Sequence, residues 1–143
     1  MGTAQLPKVL RGRKITWGMA ARLLAGSLLA GLLAACSSGK HPAAAVVEAY
    51  MQALVDKDEP RLTSLTCESF ESDALLELDA FGMVKTHLED LDCQADVSGK
   101  NDASVTCQGQ IIATYGAEDQ TFDLSDRTYQ VKNQGGDWLV CGQ

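Results

Sequence analysis

The residues with the most chemistry to offer in this 143-residue chain are its five cysteines. Four of them, Cys67, Cys93, Cys107 and Cys141, stand 26, 14 and 34 residues apart. A zinc module or a thiol redox centre needs thiolates only a few residues apart, usually as Cys-x-x-Cys, and no such pair occurs. An even number of cysteines in about 100 residues reads instead as the disulfide framework of an exported domain. Asp90-x-Asp92-x-Gln94-x-Asp96 has the alternate spacing of a calcium loop, but the glycine at the sixth position is missing and Asn101 stands where the bidentate Glu belongs. On a strand the same residues form a solvated face. Glycine-rich phosphate loops and activated-nucleophile motifs are also missing, so neither a metal site nor a cofactor is expected.

Four cysteines allow three pairings, and the elements around them choose among these. Leu91, Cys93, Ala95 and Val97 alternate with polar residues, as do Ala103, Val105, Cys107, Gly109, Ile111, Ala113 and Tyr115. A period of two over this length marks half-buried strands. Ser98-Gly-Lys-Asn-Asp102 between them is turn chemistry. Folding the hairpin about Lys100 sets Val97 opposite Ala103, Ala95 opposite Val105 and Cys93 opposite Cys107. The expected bridges are therefore Cys93–Cys107 and Cys67–Cys141, the second tying a helical half to the last strand.

The helical half precedes the strands. Residues 43–56 carry Val46, Val47, Tyr50, Met51 and Leu54 as one apolar stripe after Pro42. Asp58 is placed to cap a short second helix through about Leu65, and Ser69 or Ser72 to cap a third, with Leu75, Leu76, Leu78 and Phe81 inward and Gly82 as its stop. Strands are expected over 85–97, 103–115, 120–132 and 137–141. A bulge near Ser125–Thr128 would bring Phe122 and Leu124 into phase with Tyr129 and Val131. Trp138 is expected in the core of the last strand. Helices first and an antiparallel meander after them make an α+β plan, with the helices covering one face of a curved four-stranded sheet.

Charge separates this domain from what precedes it. Lys8, Arg11, Arg13, Lys14 and Arg22 fall in the first 22 residues, and no acidic residue occurs before Glu48. Residues 36–143 hold seven basic against nineteen acidic side chains, a formal charge of −12. That balance argues against a nucleic-acid surface and against docking on anionic headgroups by a basic patch. After the basic segment, residues 23–33 form an uncharged apolar run of eleven, the length of a signal-peptide core and short of a membrane span.

Leu33-Ala34-Ala35-Cys36 resembles the lipobox of bacterial lipoproteins. The resemblance implies a diacylglyceryl group on the Cys36 thiol and cleavage before Cys36. The expected organisation is a signal peptide over 1–35, a lipidated cysteine and flexible tether over 36–42, and a domain over 43–143. The protein would then sit outside the cytoplasm on the cell membrane, or on the outer membrane if the cell has two. His41 in the tether needs no function in this reading.

Val46-Val-Glu-Ala-Tyr-Met-Gln-Ala-Leu54, Asp123-Leu-Ser-Asp-Arg-Thr-Tyr-Gln-Val-Lys132 and Asp137-Trp-Leu-Val-Cys141 are similar to the opening helix and closing hairpin of the nuclear transport factor 2-like (cystatin-like) superfamily. The resemblance covers about residues 42–141 and is strongest to its uncharacterised exported lipoproteins. It implies a cone-shaped barrel with a pocket and little about chemistry, because one fold hosts many functions. Enzymes of the superfamily, the ketosteroid isomerases and polyketide cyclases, place an Asp or His in that pocket, where burial raises a carboxyl pKa. The residues that could line or work such a pocket are Tyr50, Asp79, His87 and Tyr115, and none stands in a motif those enzymes share. An isomerase- or cyclase-type site on Asp79 or His87 requires one of them to point into a closed apolar pocket. The expected role is a tethered, non-enzymatic binding module for a small molecule or an envelope protein. The alternatives are that enzyme, or a dimeric accessory subunit of the envelope.

Overall fold

The computed structural model of the protein describes residues 39–143; the leader, Cys36, Ser37 and Ser38 lie outside the described residues. Helix α1 runs over Pro42–Asp56. Pro42 occupies its first turn, where a missing amide proton costs nothing. His41 is its cap, with Nδ1 accepting from the Ala43 amide at 3.1 Å. Val47, Tyr50, Met51 and Leu54 share one face and are fully buried, each contributing about 1.5–3 kcal/mol of apolar burial. Lys57 ends the helix in the left-handed region at φ 57°. Asp58 then accepts from the Arg61 amide at 3.1 Å and starts α2, Glu59–Ser64, which Leu62 holds to the core.

Helix α3, Glu71–Ala80, departs from expectation at its start and on its face. Neither Ser69 nor Ser72 caps it. Phe70 holds the cap position without a side-chain bond, buried with its ring centroid 6.4 Å from that of Tyr50. Burial of that ring sets where the helix begins. Ala74 and Leu78, four apart, face the core, whereas Leu76 is 68% exposed rather than inward. Residues two apart do not share a helix face, so Leu76 falls opposite both.

The sheet has five strands, β1 Lys85–Val97, β2 Asp102–Tyr115, β3 Glu118–Asp123, β4 Thr128–Gln134 and β5 Asp137–Gly142. All pair antiparallel, and the order is β1-β2-β4-β5 with β3 also on β2. The hairpin register sets Val97 opposite Ala103, Ala95 opposite Val105 and Cys93 opposite Cys107. The single strand expected over 120–132 is two. Residues 102–106 of β2 pair with β4, while residues 110–115 pair with β3.

Gly109 is the reason for the change of partner. It sits at φ 102°, and a Cβ there would come within 2.5 Å of the Glu89 carbonyl oxygen. Opposite it the register of β1 shifts between Glu89 and Asp92, with Asp90 at φ 52°. The sheet bends at this bulge. On the other side the Gly109 carbonyl accepts from the Leu124 amide at 3.1 Å, so the chain breaks between β3 and β4. Glu48 of α1 fills the disrupted ladder, accepting from the Cys93 amide at 3.0 Å.

The curled sheet closes around α1. Leu124, Tyr129, Val131 and Val140 join Val105, Cys107 and Ile111 against Tyr50, Met51 and Leu54 in one core. Val97, expected inward, is exposed near the hairpin tip, and Ile112, on the polar side of the alternation, is buried between its strand partners His87 and Thr121. Cys93 meets Cys107 and Cys67 meets Cys141 at disulfide distance. Thr66 bridges Val140 in parallel beside the second pair, so the helical half is stitched to the last strand. Among the described residues no helix is long and apolar enough to cross a membrane.

Candidate functional site

The inside of the cone is filled. Tyr50, Met51 and Leu54 from α1 meet Ile111, Leu124 and Tyr129 from the sheet side, all with no exposed surface. The pocket expected there is taken by these side chains, because the bend at Gly109 draws both arms of β2 onto the helix.

Polar groups gather beside this packed interior. Tyr50 donates to Glu77 Oε2 at 2.8 Å, and Arg127 pairs with Glu77 Oε1. The Glu77 side chain is only 11% exposed and that of Arg127 30%. Arg127 also reaches Gln143 at 3.5 Å, and the Tyr129 hydroxyl lies 3.9 Å from Met51 Sδ. Burial, reinforced by the Glu77 carboxylate, pushes the Tyr50 phenol far above its ordinary range. Burial raises Tyr129 to about 12, against a downward pull from Arg127. Burial works against the Arg127 charge, but its hydrogen bonds to Glu77 and Tyr129 outweigh that and raise its pKa. The cluster therefore holds one carboxylate, one guanidinium and two neutral phenols. It satisfies its own members: Glu77 already accepts from both partners. Glu77 and Arg127 are 50 residues apart and no sequence pattern links them. Glu77 precedes the buried Leu78 directly, but Arg127 lies three residues after Leu124, so local order gives no joint signal.

Of the residues expected to work a pocket, Tyr50 alone is buried in the core. Asp79 is exposed on α3, one residue past the inward Leu78. His87 is exposed on β1, 3.3 Å from Glu89. Tyr115, expected inward by alternation, is 39% exposed at the end of β2, past the last cover that the helices provide. The structure does not bring these four together, and the site built on Asp79 or His87 does not form. Asp90, Asp92 and Asp96 are exposed, and Asp92 is 2.6 Å from the Lys40 ammonium, which holds its carboxyl below the usual range. Among the described residues no group of three His, Cys, Asp or Glu could hold a metal ion. Cys36 lies outside the described residues.

Open space lies outside the cone. A groove of about 580 Å³ runs between the start of α1, the end of α2 and the β4–β5 hairpin. Pro42, Val46, Leu65, Trp138 and Leu139 supply apolar lining; Ser64, Gln134 and Asp137 supply polar lining. Gly135 at φ 68° and Gly136 at φ 109° make the tight turn that brings Gln134 and Asp137 together. Trp138, expected in the core, is half-buried: it packs on the core and also lines the groove. His41 meets the Trp138 ring edge-on at 5.5 Å.

This order of helices and strands has counterparts among solved structures. A candidate scytalone dehydratase from Novosphingobium aromaticivorans superposes with a TM-score of 0.51 at 16% identity, over 67% of this chain and 74% of the other. The likeness shows a shared fold, helices followed by a curved antiparallel sheet. Two further structures are similar over 69% of this chain. A candidate dehydratase of the nuclear transport factor 2-like family from Streptomyces avermitilis gives a TM-score of 0.44 at 14% identity over 92% of its length. A nuclear transport factor 2-like protein of unknown function in nutrient uptake from Rhodospirillum rubrum gives 0.46 at 19% identity over 93% of its length. No family model matches the chain, and no curated protein matches its sequence.

Proposed function

We propose that this nuclear transport factor 2-like domain is a binding module of an exported lipoprotein, held outside the cytoplasm by lipid on Cys36. The observation that carries the reading is the position of the open space. The cone interior is occupied by Tyr50, Met51 and Tyr129, while the groove at Trp138 is open and has an apolar floor with a few polar groups. That composition is the usual one for a small-molecule or chain-binding site. The leader and Leu33-Ala34-Ala35-Cys36 support the address.

Mass spectrometry of the protein extracted from its own membrane tests both halves. The denatured mass should equal residues 36–143 plus acyl chains, minus four hydrogens for two disulfides. The native mass should exceed it by a few hundred daltons that leave on activation. A native mass equal to the denatured one would contradict the binding reading.

A second reading, a dehydratase- or isomerase-type enzyme, rests on Glu77. Its carboxylate is close to fully buried, with a phenol at 2.8 Å and a guanidinium beside it, a set that can hold or pass a proton. The name of the Novosphingobium structure points the same way. Here Glu77 would be the base and Arg127 would have to swing away to admit substrate. Turnover of a dehydratase substrate that is lost in Glu77→Gln and kept in Trp138→Phe would favour this reading over the first.

A further inference from the structure

The beginning of the domain is fastened, although residues 36–42 read as a flexible tether. Lys40 bridges Glu48 on α1 and Asp92 on β1, the latter at 2.6 Å. His41 caps α1 and meets Trp138. The chain therefore leaves the domain at a defined point, and the groove begins two residues later at Pro42. Between Lys40 and Cys36 there are four residue steps, which span at most about 14 Å.

We propose that the groove face is the membrane-apposed surface of the domain, and that the groove receives acyl chains of the lipid leaflet. The inference rests on the reading of Cys36 as lipidated. An anchor that short keeps the Pro42 end of the domain at the headgroups. The surface found there fits lipid in three respects. Its floor is Val46, Leu65, Trp138 and Leu139, and an indole with one side on an apolar core suits the membrane interface. Among the described residues its lining contains no Lys or Arg to grip a phosphate or to offset Asp137, and Asp137 in the lining repels anionic headgroups, so neutral or zwitterionic lipid is favoured. An extended peptide could not add to β5 at Val140. The Val140 amide already donates to the Leu65 carbonyl at 2.9 Å, and the Val140 carbonyl accepts from Cys67 at 2.8 Å.

Trp17 leaves with the leader, so Trp138 is the one tryptophan of residues 36–143. The test uses the full mature lipoprotein in phosphatidylcholine vesicles, with or without bromine on the acyl chains, after an intact mass has established acylation and loss of the leader. Trp138 emission should be blue-shifted and quenched about twofold by brominated chains, as for an interfacial indole, and poorly quenched by aqueous acrylamide. Leu139→Glu, which charges the floor and keeps the tryptophan and the anchor, should abolish the bromine effect. Acylated protein whose Trp138 ignores bromine and stays open to acrylamide would overturn the docking and leave the anchor standing. Equal bromine quenching in Leu139→Glu would mean proximity without a lipid-filled groove, and would overturn the groove as receiver. An intact mass without acyl chains would overturn the anchor and, with it, this docking.

Discussion

The cone interior and the groove beside Trp138 are built from similar side chains and use them in opposite ways. In the interior, Tyr50 and Tyr129 are wholly buried and their hydroxyls find internal partners, Glu77 for Tyr50 and Met51 Sδ for Tyr129. In the groove, Trp138 and Leu139 keep part of their surface uncovered. The difference lies in what α1 can reach. Val47, Tyr50, Met51 and Leu54 lie wholly under the curled sheet, whereas nearer the start of the helix only Ala43 and Ala44 are covered as fully, and Pro42 and Val46 border the groove. One region therefore supplies stability and the other keeps apolar surface available.

Truncating each region in turn should give unequal losses. Leu54→Ala should cost about 2–5 kcal/mol, the range for a leucine deleted from a packed core. Leu139→Ala, half-exposed, should cost roughly 1 kcal/mol or less. Denaturant unfolding of the two variants measures both, and equal losses would mean that the groove is as much a part of the core as the cone.

The two bridges also differ between the regions. Closing 74 residues by Cys67–Cys141 should restrict the unfolded chain more than closing 14 by Cys93–Cys107, about 4 against about 3 kcal/mol in the chain-entropy account. Paired Cys→Ala variants should lose stability in that order. Because Leu65 borders the groove and lies two residues before Cys67, loss of the longer bridge should also loosen the groove, read as faster amide exchange at Leu65 and Val140.

How far this architecture could be read from residue order depends on the distance over which each feature is decided. The β1–β2 register follows from alternation on either side of Ser98–Asp102, a matter of neighbours. The break between β3 and β4 hangs on Gly109, whose carbonyl takes the Leu124 amide; alternation shows that a phase change is needed near Ser125–Thr128 but not that β2 changes partner. Leu76 and Tyr115 are apolar residues in plausible phase whose cover is missing, and cover is a tertiary property. Glu48 in the bulge and the Glu77–Arg127 pair join residues 45 and 50 positions apart, with nothing local to announce them. The groove was illegible for the same reason: it is the gap left between α1, α2 and the last hairpin.

A smaller effect is expected at the buried ion pair. Glu77→Ala leaves Arg127 without its carboxylate and Tyr50 without an acceptor. The loss should be about 2 kcal/mol, less than for a fully buried pair because Arg127 is partly exposed. Glu77→Gln, which keeps an acceptor for Tyr50, should recover part of it. Thermal unfolding of the pair of variants distinguishes the two contributions.

The phenols add a pH signature. Folded Tyr129 titrates near 12 and Tyr50 also above its ordinary range, while unfolded tyrosine ionises near 10. Their contribution is complete below about pH 10 and is lost as pH rises from about 10 towards 12, because the unfolded chain releases the proton first. Urea midpoints should fall over that window, and tyrosinate absorbance should rise together with unfolding. Tyr129→Phe should flatten the fall.

Whether ligand is taken beside Trp138 or inside the cone can be read from methyl-resolved spectra of the mature protein in phosphatidylcholine nanodiscs, with and without a spin label on the acyl chains. Resonances of Val46, Leu65 and Leu139 should broaden most with the label, while those of Met51, Leu54 and Ile111 stay sharp. Broadening of the Met51, Leu54 and Ile111 resonances, with the groove methyls unchanged, would place the ligand inside the cone instead.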